Sequence, residues 1–352
     1  EIYLGNSGTS ARLLTGLLSS QNFESVLTGD KSLSSRPMKR ITNPLSEMGA
    51  EIITQNGKLP LHIKGKILNN CKIEIDIPSA QIKSGLILAA LNTEGTSYIN
   101  EKHITRDHTE IMLETFGADI ETKKNGNSSE IIINGKKKLT PKNIDVPADL
   151  SSSSFFIVAA LINKNSNITL ENININPTRN GFLIALEKMG ANINIFNQKN
   201  RAGEIVADIN VKSSELNGCE LDEQMAKLMI DEFPILSIAA SQANSPSYFK
   251  GLDELRIKES DRLELINDNL NRCGHYSKIK NNDLFIDPTK NKQIINSAIR
   301  TDFDHRIAMS FAVLGSKIGK LQINESDSIN TSFPSFKEQF NKAGGNLIWK
   351  KL

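Results

Sequence analysis

One pattern recurs along the whole chain and constrains its fold more than any composition: an amphipathic run ends in Gly and passes into an aliphatic stretch. It reads LSEMGAEII around Gly49, LETFGADIE around Gly117, LEKMGANINI around Gly190, LNRCGHYSKI around Gly274 and FNKAGGNLI around Gly344, at spacings of 68, 73, 84 and 70 residues. Self-similarity at such a period is the mark of a chain built from repeated supersecondary units. Each Gly stands where a helix needs a left-handed residue just past its end, which glycine adopts without steric cost, and the alternating apolar residues that follow suit a strand.

A second ladder has the same period. Helices that open on small or acidic polar residues and continue almost wholly apolar start near Ser7, Ser79, Ser151, Asp231 and Asp304, each 38 to 43 residues before its partner Gly. A helix apolar nearly all round belongs in a core, whereas the Gly-terminated helices carry a polar face and belong outside. Each unit is therefore expected to have one inner helix, one outer helix and strands between them. Five units are readable, and the start of the first at its inner helix leaves room for a sixth upstream. Pro147 breaks an extended segment in IDVPAD, residues 144–149, which places the expected domain boundary between 1–147 and 148–352.

The 42 basic and 40 acidic side chains leave a net charge of +2, so no global field recruits nucleic acid, and anion binding has to be local. No apolar run approaches the roughly 18 residues that would mark a membrane span. Three scattered cysteines, Cys71, Cys219 and Cys273, suit a reducing compartment, and a cytoplasmic protein is expected. Neither a phosphate-binding P-loop nor a dinucleotide GxGxxG is present, which argues against nucleotide-driven chemistry, and Cys and His show no metal-ligand spacing, so metal catalysis has no support.

The cations are placed against the helix dipole. Arg36, Arg106, Arg179, Lys258 and Arg262 gather where outer helices begin, and Arg12, Lys83 and Arg306 lie in the first turns of inner ones. A positive side chain there costs about 0.3–1 kcal/mol. For any one of them a solvated charged face is the plain explanation; for the set, a shared anion site fits better, since Arg grips carboxylate and phosphate bidentately. Asp231 and Glu259 are the carboxyl groups beside these cations. Taken singly, Asp231 could be a helix cap and Glu259 a surface partner of Arg262. His108 and His305 share polar helix starts.

Seven segments, LGNSGTSARLL (4–14), GDKSLSSRPM (29–38), PSAQIKSGLILAAL (78–91), TRDHTEIML (105–113), IDEFPIL (230–236), ELRIKESDRL (254–263) and DHRIAMSF (304–311), together resemble the 5-enolpyruvylshikimate-3-phosphate synthase family, in that family's order and over almost the entire chain. The resemblance implies a two-domain α/β enolpyruvyl transferase fold, inverse α/β barrel-like, with domains facing across a cleft that closes on substrate. It also implies that no metal or organic cofactor takes part, and transfer of the enolpyruvyl group of phosphoenolpyruvate to the 5-hydroxyl of shikimate 3-phosphate; a monomer is expected. Residue by residue, it implies that Ser79, Ala80, Gln81, Arg106, Asp231 and Lys258 hold shikimate 3-phosphate. On the phosphoenolpyruvate side stand Asn6, Gly8, Thr9, Arg12, Arg36, Gln81, Lys258, Arg262 and Arg306. Asp231, Glu259 and Lys258 then serve catalysis, with Asp231 on the attacking hydroxyl and Glu259 as proton donor to the methylene carbon. The family's usual upstream Lys-Ser and Arg have no counterpart before Glu1. The alternatives are the sister transferase acting on UDP-N-acetylglucosamine, from which a reactive loop Cys is expected, and an inactive truncated remnant.

Overall fold

The computed structural model describes residues 1–292 and 298–350. The chain divides into two compact units, one of residues 1–145 with 202–204 and one of residues 146–201 with 205–352.

In the first unit one succession of elements occurs twice. Strand β1 (Ile2–Tyr3) leads through helix α1 (Gly8–Ser19) to β2 (Glu24–Thr28), then through α2 (Lys31–Ser35) and α3 (Lys39–Glu47) to the hairpin β3 (Glu51–Gln55) and β4 (Lys58–Lys64). The second copy runs β5 (Lys72–Ile75), α4 (Ala80–Ala90), β6 (Thr96–Glu101), α5 (His108–Thr115), β7 (Asp119–Asn125) and β8 (Ser128–Asn134). Both four-stranded sheets have the same order, β1-β2-β4-β3 and β5-β6-β8-β7, with a parallel first pair and antiparallel pairs beyond it. The parallel pair is joined through the apolar helix, as parallel strands require a long crossover.

The second unit continues the theme. A bridge at Ala148 pairs parallel with Ile173 and takes the place of the first strand; α6 (Leu150–Ile162), β9 (Asn167–Asn174), α7 (Gly181–Lys188), β10 (Asn192–Arg201) and β11 (Glu204–Lys212) follow. Next come β12 (Glu220–Leu221), α8 (Glu223–Leu228), α9 (Phe233–Ser241), β13 (Ser247–Phe249), α10 (Arg262–Arg272), β14 (Ser277–Lys280) and β15 (Asp283–Ile286), in the sheet order β12-β13-β15-β14. The last stretch carries the parallel pair β16 (Ala298–Ile299) and β17 (Gln322–Ile323) around α11 (His305–Ile318), then α12 (Phe336–Lys342).

The five glycines of the first ladder all have positive φ, from 79° at Gly117 and Gly190 to 101° at Gly344. The apolar helices lie in the cores: every residue of α9 is buried, as is almost every residue of α6, and α6, α9 and α11 pack on one another. In the first unit α1 and α4 meet backbone to backbone. A Cβ at Gly16 would lie 1.8 Å from the Gly85 carbonyl oxygen, and one at Gly85 would lie 2.7 Å from the Arg12 carbonyl. Glycine at both positions is what lets the two helices touch, and with them their N-terminal ends. Among the described residues no helix is long and apolar enough to cross a membrane.

Candidate active site

In the first unit, the starts of α1 and α4 carry one connected polar cluster. Ser7 caps α1, its hydroxyl accepting from Ser10 N at 3.2 Å, and Ser79 caps α4, accepting from Ile82 N at 3.4 Å. Arg12, one turn into α1, donates to Gln81 Oε1 at 2.8 Å and to the Gly8 carbonyl at 3.2 Å, while Gln81 Nε2 donates to Thr9 Oγ1 at 2.9 Å. Arg36, just before α3, donates to Asn6 Oδ1 at 2.6 Å. A Cβ at Gly8 would stand 2.8 Å from an Arg12 terminal nitrogen and 3.0 Å from one of Arg36. Gly8 therefore leaves room for two guanidinium groups beside the free backbone NH groups of a helix start, an arrangement suited to an anion. Asn6, Gly8, Thr9, Arg12, Arg36 and Gln81 are thus brought together. Ala80 opens α4 next to Ser79, and Arg106 lies half-buried in the loop before α5.

The second unit gathers the carboxyl groups. Arg262, the first residue of α10, is 1% exposed and touches three of them: Glu259 Oε2 at 2.5 Å, Asp304 Oδ2 at 2.8 Å and Asp231 Oδ1 at 3.2 Å. Burial alone would pull its pKa down, but Asp304, Glu259 and Asp231 more than reverse this and raise it, so the cation is secure. Asp304 is fully buried and caps α11 by accepting from Arg306 N at 2.9 Å; burial would push its carboxyl up, yet Arg262 holds it below the usual range. Arg306 donates to the Asp231 carbonyl at 3.2 Å and lies 4.0 Å from Glu232. Lys258 is half-buried beside Glu259 and makes no ion pair among the described residues. His305 is driven by burial down to about 4 and is neutral at pH 7.

Several expectations change at this scale. Asp231 sits within a 3-10 turn, Ile230–Glu232, and the cap position of α9 falls to Glu232, which makes no side-chain capping bond. Its neighbour Glu232 went unremarked in the sequence. That carboxyl is buried, accepts from the Ser151 hydroxyl and is pushed up in pKa by burial, with Arg306 opposing. Ser151 does not cap α6; Asp149 does, accepting from Ser152 N at 2.9 Å, and Arg179 pairs with Asp149 at 3.1 Å. Lys83 points into the core rather than at a ligand, with its ammonium 2.7 Å from Glu110 and 3.0 Å from Glu101. Arg262 is committed to its three carboxylates, so its reach toward a ligand carboxylate is much reduced. The signal for Glu232 was available: a second acid beside Asp231 at the start of an otherwise apolar helix.

Residues 1–340 match the family model described as EPSP synthase (3-phosphoshikimate 1-carboxyvinyltransferase). A curated 3-phosphoshikimate 1-carboxyvinyltransferase from Vesicomyosocius okutanii is 42% identical over 349 residues, covering 97% of this chain and 78% of the relative. Its counterpart from Ruthia magnifica is 44% identical over 98% of this chain and 78% of the relative. Among solved structures, an EPSP synthase from Acinetobacter baumannii superposes with a TM-score of 0.85 at 43% identity, over 97% of this chain and 78% of that one. The enolpyruvyl transferase NikO from Streptomyces tendae shares the fold at 17% identity, with a TM-score of 0.74 over 95% of this chain and 76% of that one.

Proposed function

The chain belongs to the EPSP synthase family, and from that premise we propose how its own residues transfer the enolpyruvyl group of phosphoenolpyruvate to the 5-hydroxyl of shikimate 3-phosphate, releasing inorganic phosphate. Ser79, Ala80, Gln81 and Arg106 hold shikimate 3-phosphate, Ser79 and Arg106 at its phosphate. Asn6, Gly8, Thr9, Arg12, Arg36, Lys258 and Arg306 hold phosphoenolpyruvate, whose phosphate and carboxylate call for several cations at once. Asp231 takes the proton from the 5-hydroxyl as its oxygen bonds to C2 of phosphoenolpyruvate. Glu259 delivers a proton to C3, turning the methylene into a methyl in a tetrahedral adduct. Phosphate then leaves with its bridging oxygen, its charge met by Lys258 and the arginines, while a methyl proton returns to a carboxylate and the double bond re-forms.

The observation that supports this reading best is the attachment of Asp231 and Glu259 to one buried guanidinium, 3.2 and 2.5 Å away. A surface ion pair would do little, but a buried cation fixes two acid–base groups relative to each other. Arg262 accordingly holds the two carboxylates rather than serving as a primary ligand of phosphoenolpyruvate. A phosphate-release assay tests the function. Phosphoenolpyruvate should yield phosphate with shikimate 3-phosphate and not with UDP-N-acetylglucosamine; the opposite preference would overturn the assignment.

A further inference from the structure

Lys83 was expected to be an anion-gripping cation, and its burial calls for a different role. Its side chain is 1% exposed, with Glu101 2% and Glu110 6% exposed beside it. The ammonium donates to Glu101 Oε1 at 3.0 Å and to the Thr105 carbonyl at 3.4 Å, and it lies 2.7 Å from Glu110 Oε1 in an ion-pair contact off the hydrogen-bonding direction. Glu101 is saturated. Its Oε1 also accepts from the Ser129 hydroxyl at 2.7 Å, and its Oε2 accepts from Thr105 N at 3.2 Å and Thr105 Oγ1 at 2.7 Å. Burial pushes the Glu110 carboxyl up in spite of Lys83.

Stability is a poor reason for such a network, because well-packed apolar residues in place of a buried ion pair often do as well or better. What it accomplishes is geometric. Thr105 is held by its NH, its hydroxyl and its carbonyl, and the next residue is Arg106. Lys83 lies one turn after the Ser79 cap, its NH bonded to the Ser79 carbonyl at 3.1 Å. Ser84, the next residue of α4, bonds Thr109 in the first turn of α5 at 2.6 Å. A continuous chain of contacts therefore runs from Ser79 through Lys83, Glu101 and Thr105 to the backbone of Arg106.

We propose that Lys83 and Glu101 are positioning residues that hold the Arg106 loop in register with the Ser79 end of α4, and so set the grip on the phosphate of shikimate 3-phosphate. This rests on the assignment of Ser79 and Arg106 to that phosphate. Nothing in the pair touches substrate; it acts through Thr105.

Three variants test it: Lys83→Met, Glu101→Gln and the milder Thr105→Val, each checked for a cooperative melt. By calorimetry Lys83→Met should lose about ten- to a hundredfold in affinity for shikimate 3-phosphate, the scale of a misplaced binding group, and little for phosphoenolpyruvate or unphosphorylated shikimate. In an Arg106→Ala background the same substitution should add almost nothing, because the two act on one contact. Equal losses for shikimate and its 3-phosphate, or full additivity with Arg106→Ala, would overturn the proposal. Should Lys83→Met fail to fold, Thr105→Val carries the same comparison, with a smaller loss in the same direction. Amide exchange in the ligand-free protein separates this idea from the functional reading. Glu101→Gln should speed exchange at the Thr105 NH whatever the substrate is, and unchanged exchange there would refute the positioning even in a fully active enzyme. If instead the exchange prediction held while unaltered protein failed to bind shikimate 3-phosphate, the functional reading would be the one at fault and the proposed purpose of the loop would fall with it.

Discussion

Replacing Arg262 by Met removes one charge from among three carboxylates while keeping an unbranched apolar stem. Asp304 suffers most, being fully buried, whereas Asp231 and Glu259 are 17% and 27% exposed and turn partly to water. At 2.8 Å and an effective dielectric near 20, the Arg262–Asp304 attraction is about 6 kcal/mol gross, and losing one partner of a buried pair costs about 3–5 kcal/mol net. The loss should depend on pH. In the wild type, Asp304 lies below its ordinary pKa, so it adds stability that is present above the unfolded carboxylate value and lost as pH falls through the folded one. Without Arg262, burial raises Asp304, reversing the sign: the variant loses stability as pH rises above about 4. Urea unfolding at pH 7 and pH 5 should therefore show a deficit that narrows at the lower pH. Arg262→Met with Asp304→Asn should recover much of the stability but little of the turnover, since Asp231 and Glu259 remain unheld. A pH-independent deficit under about 1 kcal/mol would refute the buried-hub argument.

Gly16→Ala should cost about 1–3 kcal/mol or more in thermal unfolding, because the new methyl meets backbone rather than a flexible side chain; a wild-type melting temperature would contradict the helix contact. Gly8→Ala crowds two guanidinium ends and meets Leu33 at an ordinary contact distance of 3.9 Å, so it should leave the melting temperature within a few degrees while raising the KM for phosphoenolpyruvate several-fold. An unaltered KM would remove Arg12 and Arg36 from that ligand. His305 folds with its pKa lowered to about 4 from 6.5, so the unfolded chain binds the extra proton first. Stability should fall as pH drops from about 6.5 toward 4, by at most about 3 kcal/mol, and His305→Asn should flatten that part of the stability–pH curve; an unchanged slope would show that His305 is not its source.

Much of this molecule is legible in local pattern because the signals are local. Gly49, Gly117, Gly190, Gly274 and Gly344 adopt the left-handed conformation their position demands, and the nearly uniform apolarity of residues 155–162 and 233–240 has no outlet but a core. Capping was readable to within a residue or two. Ser7, Ser79 and Asp304, where the pattern starts the helices, are their caps, whereas Asp149 rather than Ser151 caps α6 because its carboxylate reaches the Ser152 NH. Beyond the local pairing of Arg262 with Glu259, the fate of each cation was not readable, since it is decided by partners far along the chain. Arg262 meets carboxylates at 231, 259 and 304, and Lys83 meets them at 101 and 110. Nothing in the spacing of Lys83 separates a residue aimed at a ligand from one turned into the core.

On the proposed mechanism Asp231 and Glu259 carry out an addition–elimination at C2 of phosphoenolpyruvate, with protonation at C3. Turnover in D2O with phosphoenolpyruvate labelled by 18O at its bridging oxygen tests it most directly. Deuterium should enter the vinyl methylene of the product, the label should leave with phosphate, and Glu259→Gln should suppress both together with turnover. A product that keeps the 18O and gains no deuterium would mean that the bond to phosphorus breaks instead, and the roles given to both carboxylates would be wrong.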